Sequence, residues 1–154
     1  MGLAYGTSDR GACHLRTTFY KPELSGLIEP EKIEGKAAML AEWEDRLTIF
    51  DTLILCRFYR DLYQWEELSA ILEGTTGLKL DKNDMRSIAA NISNSARKFN
   101  LLEGLMSEHD QLPKRFHKEA LEQGKIISEE EMNILLKDYY QARGWTEEGI
   151  PVDM

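Results

Sequence analysis

At 154 residues, with 42% hydrophobic and 30% charged side chains, the chain is long enough to bury a substantial core, and its composition excludes disordered and fibrous classes. A formal charge of −8 argues against a generic nucleic-acid binder, which needs clustered Lys and Arg against phosphate. No apolar run reaches the roughly 20 residues of a membrane span and Met1–Gly11 lacks a signal-peptide pattern, so the expectation is a cytoplasmic protein with no membrane partner. Its two cysteines, Cys13 and Cys56, are too few for a disulfide framework, and any metal bound through one of them needs further ligands from elsewhere.

In chain order, Tyr5–Arg16 (YGTSDRGACHLR) reads as a loop leading into a helix at His14, and Pro22, Gly26 and Pro30 make the next stretch irregular. A strong helix is expected from about Lys36 to about Ile54, where Leu40, Trp43, Leu47, Phe50 and Ile54 form a stripe that must be buried. A shorter helix should carry Leu68, Ile71 and Leu72 and end near Gly74. Asp81 reads as the N-cap of a third long helix, whose face Met85, Ile88, Ala89, Ile92, Ala96 and Phe99 should point to the core. Pro113 forbids a long helix through Leu112–Phe116, which reads as an ordered tail segment. Ser128 and Glu131 form a capping box for a helix bearing Met132, Leu135, Leu136 and Tyr139 and stopping at Gly144. No useful strand alternation appears, so the expected class is all-α.

Two segments carry possible chemistry. Asp51-Thr52-Leu53-Ile54-Leu55-Cys56 combines a carboxylate, able to accept two hydrogen bonds from a heterocycle, with a thiol whose thiolate suits iron; its plainer reading is a buried free cysteine. In Arg10-Gly11-Ala12-Cys13-His14-Leu15-Arg16 the glycine lets the backbone approach a ligand and His14 can move protons; the plainer reading is a loop held by its own polar side chains. His109 and His117 read as solvated surface, and Tyr139, Tyr140 and Trp145 as core rather than a stacking box.

The segments GLAYGTSDRGACHLR, EGKAAML, DTLILC, ARKFNLLEG, LPKRF and RGWTEEGIP occur in an order that resembles the C-terminal helical region of tungsten-containing aldehyde:ferredoxin oxidoreductases. The resemblance implies an all-helical domain over residues 1–154, the C-terminal part of an oxidoreductase whose N-terminal pterin-binding and cluster-binding portion lies outside this chain. Members of that family hold a tungsten bis-pterin of the molybdopterin type beside a 4Fe–4S cluster, oxidise aldehydes to carboxylates and pass electrons to ferredoxin. By resemblance Cys56 is the fourth cluster ligand, Asp51 the pterin-binding carboxylate, and His14 a residue near the substrate cavity. The implied function is a cofactor-capping part that is inactive alone and binds no cofactor by itself. Two alternatives stand beside it: a subunit of a split oxidoreductase completed by a separate chain, and a non-enzymatic helical remnant that binds protein partners or forms a homo-oligomer.

Ile54 departs from the family pattern, which has glycine there. On a continuous helix Asp51 and Cys56 would diverge by about 140° at roughly 100° per residue, so the helix must loosen between them. Positive φ would achieve this, and a β-branched residue is strongly disfavoured there. The expectation is an altered cofactor edge on which Asp51 and Cys56 fail to converge.

Overall fold

In the computed structural model, which describes residues 1–120 and 126–152, every regular element is helical and no strand occurs among the described residues. The three expected long helices are α4 (Lys36–Thr52), α6 (Lys82–Leu102) and α8 (Glu129–Arg143), preceded by short α1 (Gly2–Thr7), α2 (His14–Thr17) and α3 (Tyr20–Leu24), with α5 (Trp65–Thr76) and α7 (Arg115–Lys118) between. The helix starts are chemically determined. Asp81 accepts from the amides of Asn83 and Asp84, while the Ser128 hydroxyl accepts from the Glu131 amide and the Glu131 carboxylate accepts in return from the Ser128 amide. α5 begins at Trp65, three residues before its first expected apolar residue Leu68, because Gln64 and Glu67 make a third capping box, and it runs to Thr76 with Gly77 as its cap, past the expected stop at Gly74.

α4 is the central element, packed against α6 on one side and α8 on the other. Leu40, Leu47 and Phe50 are fully buried, as their spacing requires. Because α4 is covered on several sides, its polar residues Glu44, Asp45, Arg46 and Thr48 are buried as well. The Arg143 guanidinium of α8 reaches Glu44 and Asp45, and the Tyr139 hydroxyl donates to Glu44 at 2.6 Å. Burial pushes the Glu44 carboxyl up, but Arg143, Arg16 and the Tyr139 hydrogen bond outweigh it and hold that group below the ordinary glutamate range. Burial dominates at Asp45 and raises it. Two apolar clusters meet across Trp43: one formed by α1, the start of α4 and α8, the other by the end of α4, α5 and the start of α6. Tyr139, Tyr140 and Trp145 pack on one another in the core as expected, with the Arg97 guanidinium over the Tyr140 and Trp145 rings.

α6 corrects one expectation. Met85 and Ala89 point inward, but Ile88, Ile92 and Phe99 lie on the outside, Phe99 with 63% of its surface exposed, and Leu102 beyond it reaches 86%. The inward face continues instead through Ser93 and Arg97, whose fork grips the Asp110 carboxylate and whose Nε donates to the Gly149 carbonyl at 2.9 Å. A polar inner seam whose arginine is satisfied by ion pairing leaves the apolar side of the helix outward. Ile54 is the second correction: the stripe along α4 ends at Phe50, and Ile54 is 92% exposed.

Candidate functional site

The two segments singled out in the sequence meet on one side of the molecule. α4 ends at Thr52, and the chain turns out of it through hydrogen bonds from the Leu55 amide to the Phe50 carbonyl (2.9 Å) and from the Ile54 amide to the Asp51 carbonyl (3.0 Å). This is a Schellman ending, which requires a left-handed residue after the cap. Ile54 is that residue, at φ +56°. The helix is therefore interrupted at the position where the sequence resemblance implies a glycine, despite the β-branched side chain. Left-handed backbone costs a non-glycine residue about 1–3 kcal/mol, and the exposed Ile54 side chain gains little packing in return.

Asp51 stays on the last turn of α4, and Cys56 sits past the corner on extended backbone as the cap of a 3₁₀ turn, Arg57–Tyr59. The Cys56 thiol is exposed. Asp51 lines a surface groove of about 340 Å³ together with Asp9, Arg16, Thr48, Ile92 and Phe99. Neither Cys56 nor His14 lines this groove. The interruption of the helix is thus present, and the groove that Asp51 lines does not include Cys56. His14 opens α2 with an exposed side chain. Cys13, next to it, is half-buried; burial pushes its thiol up, but the Leu15 amide and the Arg10 guanidinium, 3.4 Å from its sulfur, bring it below the usual range. A more apolar cleft of about 540 Å³ lies between α1, the Pro30–Lys36 segment and α8, and none of Asp51, Cys56 or His14 lines it.

What ties the site together was not singled out in the sequence. Arg57 Nε donates to Asp51 Oδ1 at 3.1 Å and its Nη2 to Asp51 Oδ2, a fork on one carboxylate. Nη1 donates to the Leu15 and Arg16 carbonyls at 2.7 and 2.8 Å, and Nη2 also reaches the Leu47 carbonyl at 3.4 Å. Arg16 approaches the same carboxylate from the groove wall, with Nη1 at 3.8 Å from Asp51 Oδ2, while its Nε pairs with Asp9 and its Nη2 donates to Thr48 at 2.9 Å. Burial lowers Arg57 from its ordinary value, whereas at Arg16 the nearby Glu44, Asp9 and Asp51 carboxylates outweigh burial and raise it. The sequence signal for Arg57 was slight: an arginine directly after the candidate cysteine, whose partners lie up to 42 residues back.

Among the described residues no group of three or more His, Cys, Asp or Glu side chains is placed to hold a metal ion. The donor set therefore fits one contributed ligand, an exposed thiol on a corner, and not a complete cluster site. Asp51, half-exposed in a groove that Ile92 and Phe99 also line, has the acceptor chemistry for a flat, donor-bearing heterocycle.

Comparison with known proteins agrees with the sequence segments. The family model described as aldehyde ferredoxin oxidoreductase, domains 2 and 3, matches residues 1–154. The tungsten-containing aldehyde ferredoxin oxidoreductase of Pyrococcus furiosus is 32% identical over 154 residues, covering 96% of this chain and 26% of its own length. That of Thermococcus kodakarensis is 33% identical over 157 residues with the same coverage. The chain spans about a quarter of the length of the curated relatives it matches. With its helical architecture and the match along its whole length, the chain belongs to the aldehyde ferredoxin oxidoreductase family, in the C-terminal part of that family's sequence.

Proposed function

We propose that this chain is the cofactor-capping part of a tungsten-dependent aldehyde oxidoreductase and works with a second polypeptide portion carrying the remaining cofactor shell. The supporting observation is the α4 corner, where a broken helix end presents Asp51 over an apolar-walled groove and Cys56 as an exposed thiol. In this reading Cys56 is the fourth ligand of a 4Fe–4S cluster whose other thiolates come from the partner portion, Asp51 accepts hydrogen bonds from a pterin, and His14 stands toward the aldehyde. The bound tungsten pterin supplies the two-electron chemistry by which an aldehyde and water become a carboxylic acid, two protons and two electrons, the electrons leaving through the cluster to ferredoxin. This chain's own residues orient the cofactor edge and exclude water from it, and alone they do not turn over substrate.

The test is to co-express the chain with the N-terminal three quarters of a family member and measure tungsten, iron and aldehyde-dependent ferredoxin reduction in the co-purified complex. The reading requires metal and activity in the complex, less iron in a Cys56→Ser complex, and no turnover by the chain alone. Iron content unchanged by Cys56→Ser, or robust turnover by the isolated chain after reconstitution, would overturn it. The outward apolar side of α6 also favours a second reading, a non-catalytic module that binds a protein partner there. A complex that forms through this face without metal would select it.

A further inference from the structure

We infer that Arg57 is the positioning residue of this site, fixing the segment that carries Cys13 and His14 against the corner that carries Asp51 and Cys56. Its role at the cofactor rests on the functional reading above; the coupling of the two segments does not. The guanidinium has five N–H donors in a rigid plane, and all five are engaged: two by the Asp51 oxygens, two by the Leu15 and Arg16 carbonyls of α2, and one by the Leu47 carbonyl of α4. The acceptors come from two helices far apart in sequence, and Arg57 itself follows Cys56 directly. One planar group therefore determines how α2, the last turn of α4 and the 3₁₀ turn sit relative to each other. Lysine offers three donors on a compact ammonium and cannot meet acceptors spread over such a plane.

The fork also orients Asp51 without exhausting it. A carboxylate accepts about four hydrogen bonds, and Arg57 takes one on each oxygen, so the remaining lone pairs stay available along the groove edge. Arg16 adds a second positive charge beside it, with Nη1 at 3.8 Å from Asp51 Oδ2. A carboxylate held in this way meets a heterocycle in one orientation, which a freely rotating Asp51 would not do. α2, a helix of only four residues, has two of its carbonyls satisfied by the same cation, so the placement of the helix that His14 opens depends on Arg57 too.

The chain's two cysteines flank the clamp, one on each side, and serve as native reporters. Nitroxide labels on Cys13 and Cys56, read by pulsed and continuous-wave electron paramagnetic resonance well below the unfolding temperature, should give a narrow interspin distance distribution in the unaltered chain. Arg57→Ala and Arg57→Lys should each broaden it at least about twofold, because three carbonyl contacts between segments lose their donor geometry. Asp51→Asn should leave it close to the unaltered width, since the contacts to the Leu15, Arg16 and Leu47 carbonyls persist. A merely stabilising residue would shift the unfolding midpoint and leave the distribution of the folded molecules unchanged, and that result in Arg57→Lys would overturn the inference. If neither variant folds, hydrogen exchange in the unaltered chain decides. The Thr18, Ile54 and Leu55 amides, which close α2 and the corner, should then open as one unit with protection within about threefold of one another, and a spread beyond about tenfold would overturn the inference. Failure to recover tungsten or iron in the complex would count against the functional reading only; an unchanged distance distribution would count against Arg57 only.

Discussion

The ends of α4 and α6 are built alike and filled differently. At α6 the Leu105 amide reaches the Asn100 carbonyl and the Gly104 amide the Leu101 carbonyl, the same pair of bonds that closes α4, and each corner leads into a short 3₁₀ turn, Ser107–His109 in one case and Arg57–Tyr59 in the other. Gly104 adopts φ +96° with no Cβ to oppose it; Ile54 adopts φ +56° against the preference of its side chain. The α6 corner is therefore closed by the conformational freedom of its own residue. The α4 corner is closed against that preference, and the strain is offset by contacts made elsewhere, of which the five donated by Arg57 are the most concentrated. A backbone feature that glycine makes cheap can be kept without glycine when the surrounding structure over-determines it.

Removing the clamp should produce the largest difference between the corners. Arg57→Ala leaves the Leu15 and Arg16 carbonyls and the Asp51 carboxylate without their cation, and a stability loss of about 2–3 kcal/mol is expected by urea unfolding, discounted for the half-exposed Asp51. A loss below about 0.5 kcal/mol would mean that the α4 corner stands without it. Next in size is Gly104→Ile, which gives α6 the side chain of the other corner without its clamp. A Cβ at Gly104 meets nothing within 4 Å, so the expected loss of about 2 kcal/mol is backbone strain alone. The reciprocal Ile54→Gly should raise stability by about 1 kcal/mol, the relief of strain exceeding the entropy that glycine adds to the unfolded chain. Destabilisation by Ile54→Gly would show that the exposed isoleucine makes contacts that outweigh its strain.

Much of this architecture was legible because its causes are local. Asp81 and the Ser128–Glu131 pair fix helix starts within three residues of themselves, and Leu40, Leu47 and Phe50 repeat at the period of a helix with a buried face. That Asp51 and Cys56 cannot share one face of a continuous helix followed from helix geometry as well. What was not legible depends on distant or external partners. The reading of Ile88, Ile92 and Phe99 as core followed from periodicity, which identifies an apolar face but not which of two faces turns inward. Arg97, held by Asp110 and the Gly149 carbonyl, decided that question from 13 and 52 residues away. Ile54 in left-handed backbone contradicts local preference, and the contacts of Arg57 that bear on it reach back 41 and 42 residues. The site was legible as two separate segments, and the residue joining them was not.

The smallest effect on stability is expected from the apolar side chains that the two corners hold outward. Phe58 follows the α4 corner and Leu102 precedes the α6 corner, both almost fully exposed, with Ile92 and Phe99 of the groove between α4 and α6 exposed as well. Exposed residues of this size contribute little to the fold, so Phe58→Ser and Leu102→Ser should each change the urea midpoint by no more than the equivalent of about 0.5 kcal/mol. Exposed apolar side chains of this size are suited to being covered. Sedimentation of the isolated chain should show concentration-dependent self-association that the double variant weakens, and the same variant should bind the N-terminal portion of a family member less tightly. Loss of both associations without loss of stability would mark the two corners as one interface, with Gly104 and Ile54 serving the same surface by different means. Unchanged association in the double variant would separate them, leaving the α4 corner with the cofactor-facing role proposed for it and the α6 corner as a simple helix stop.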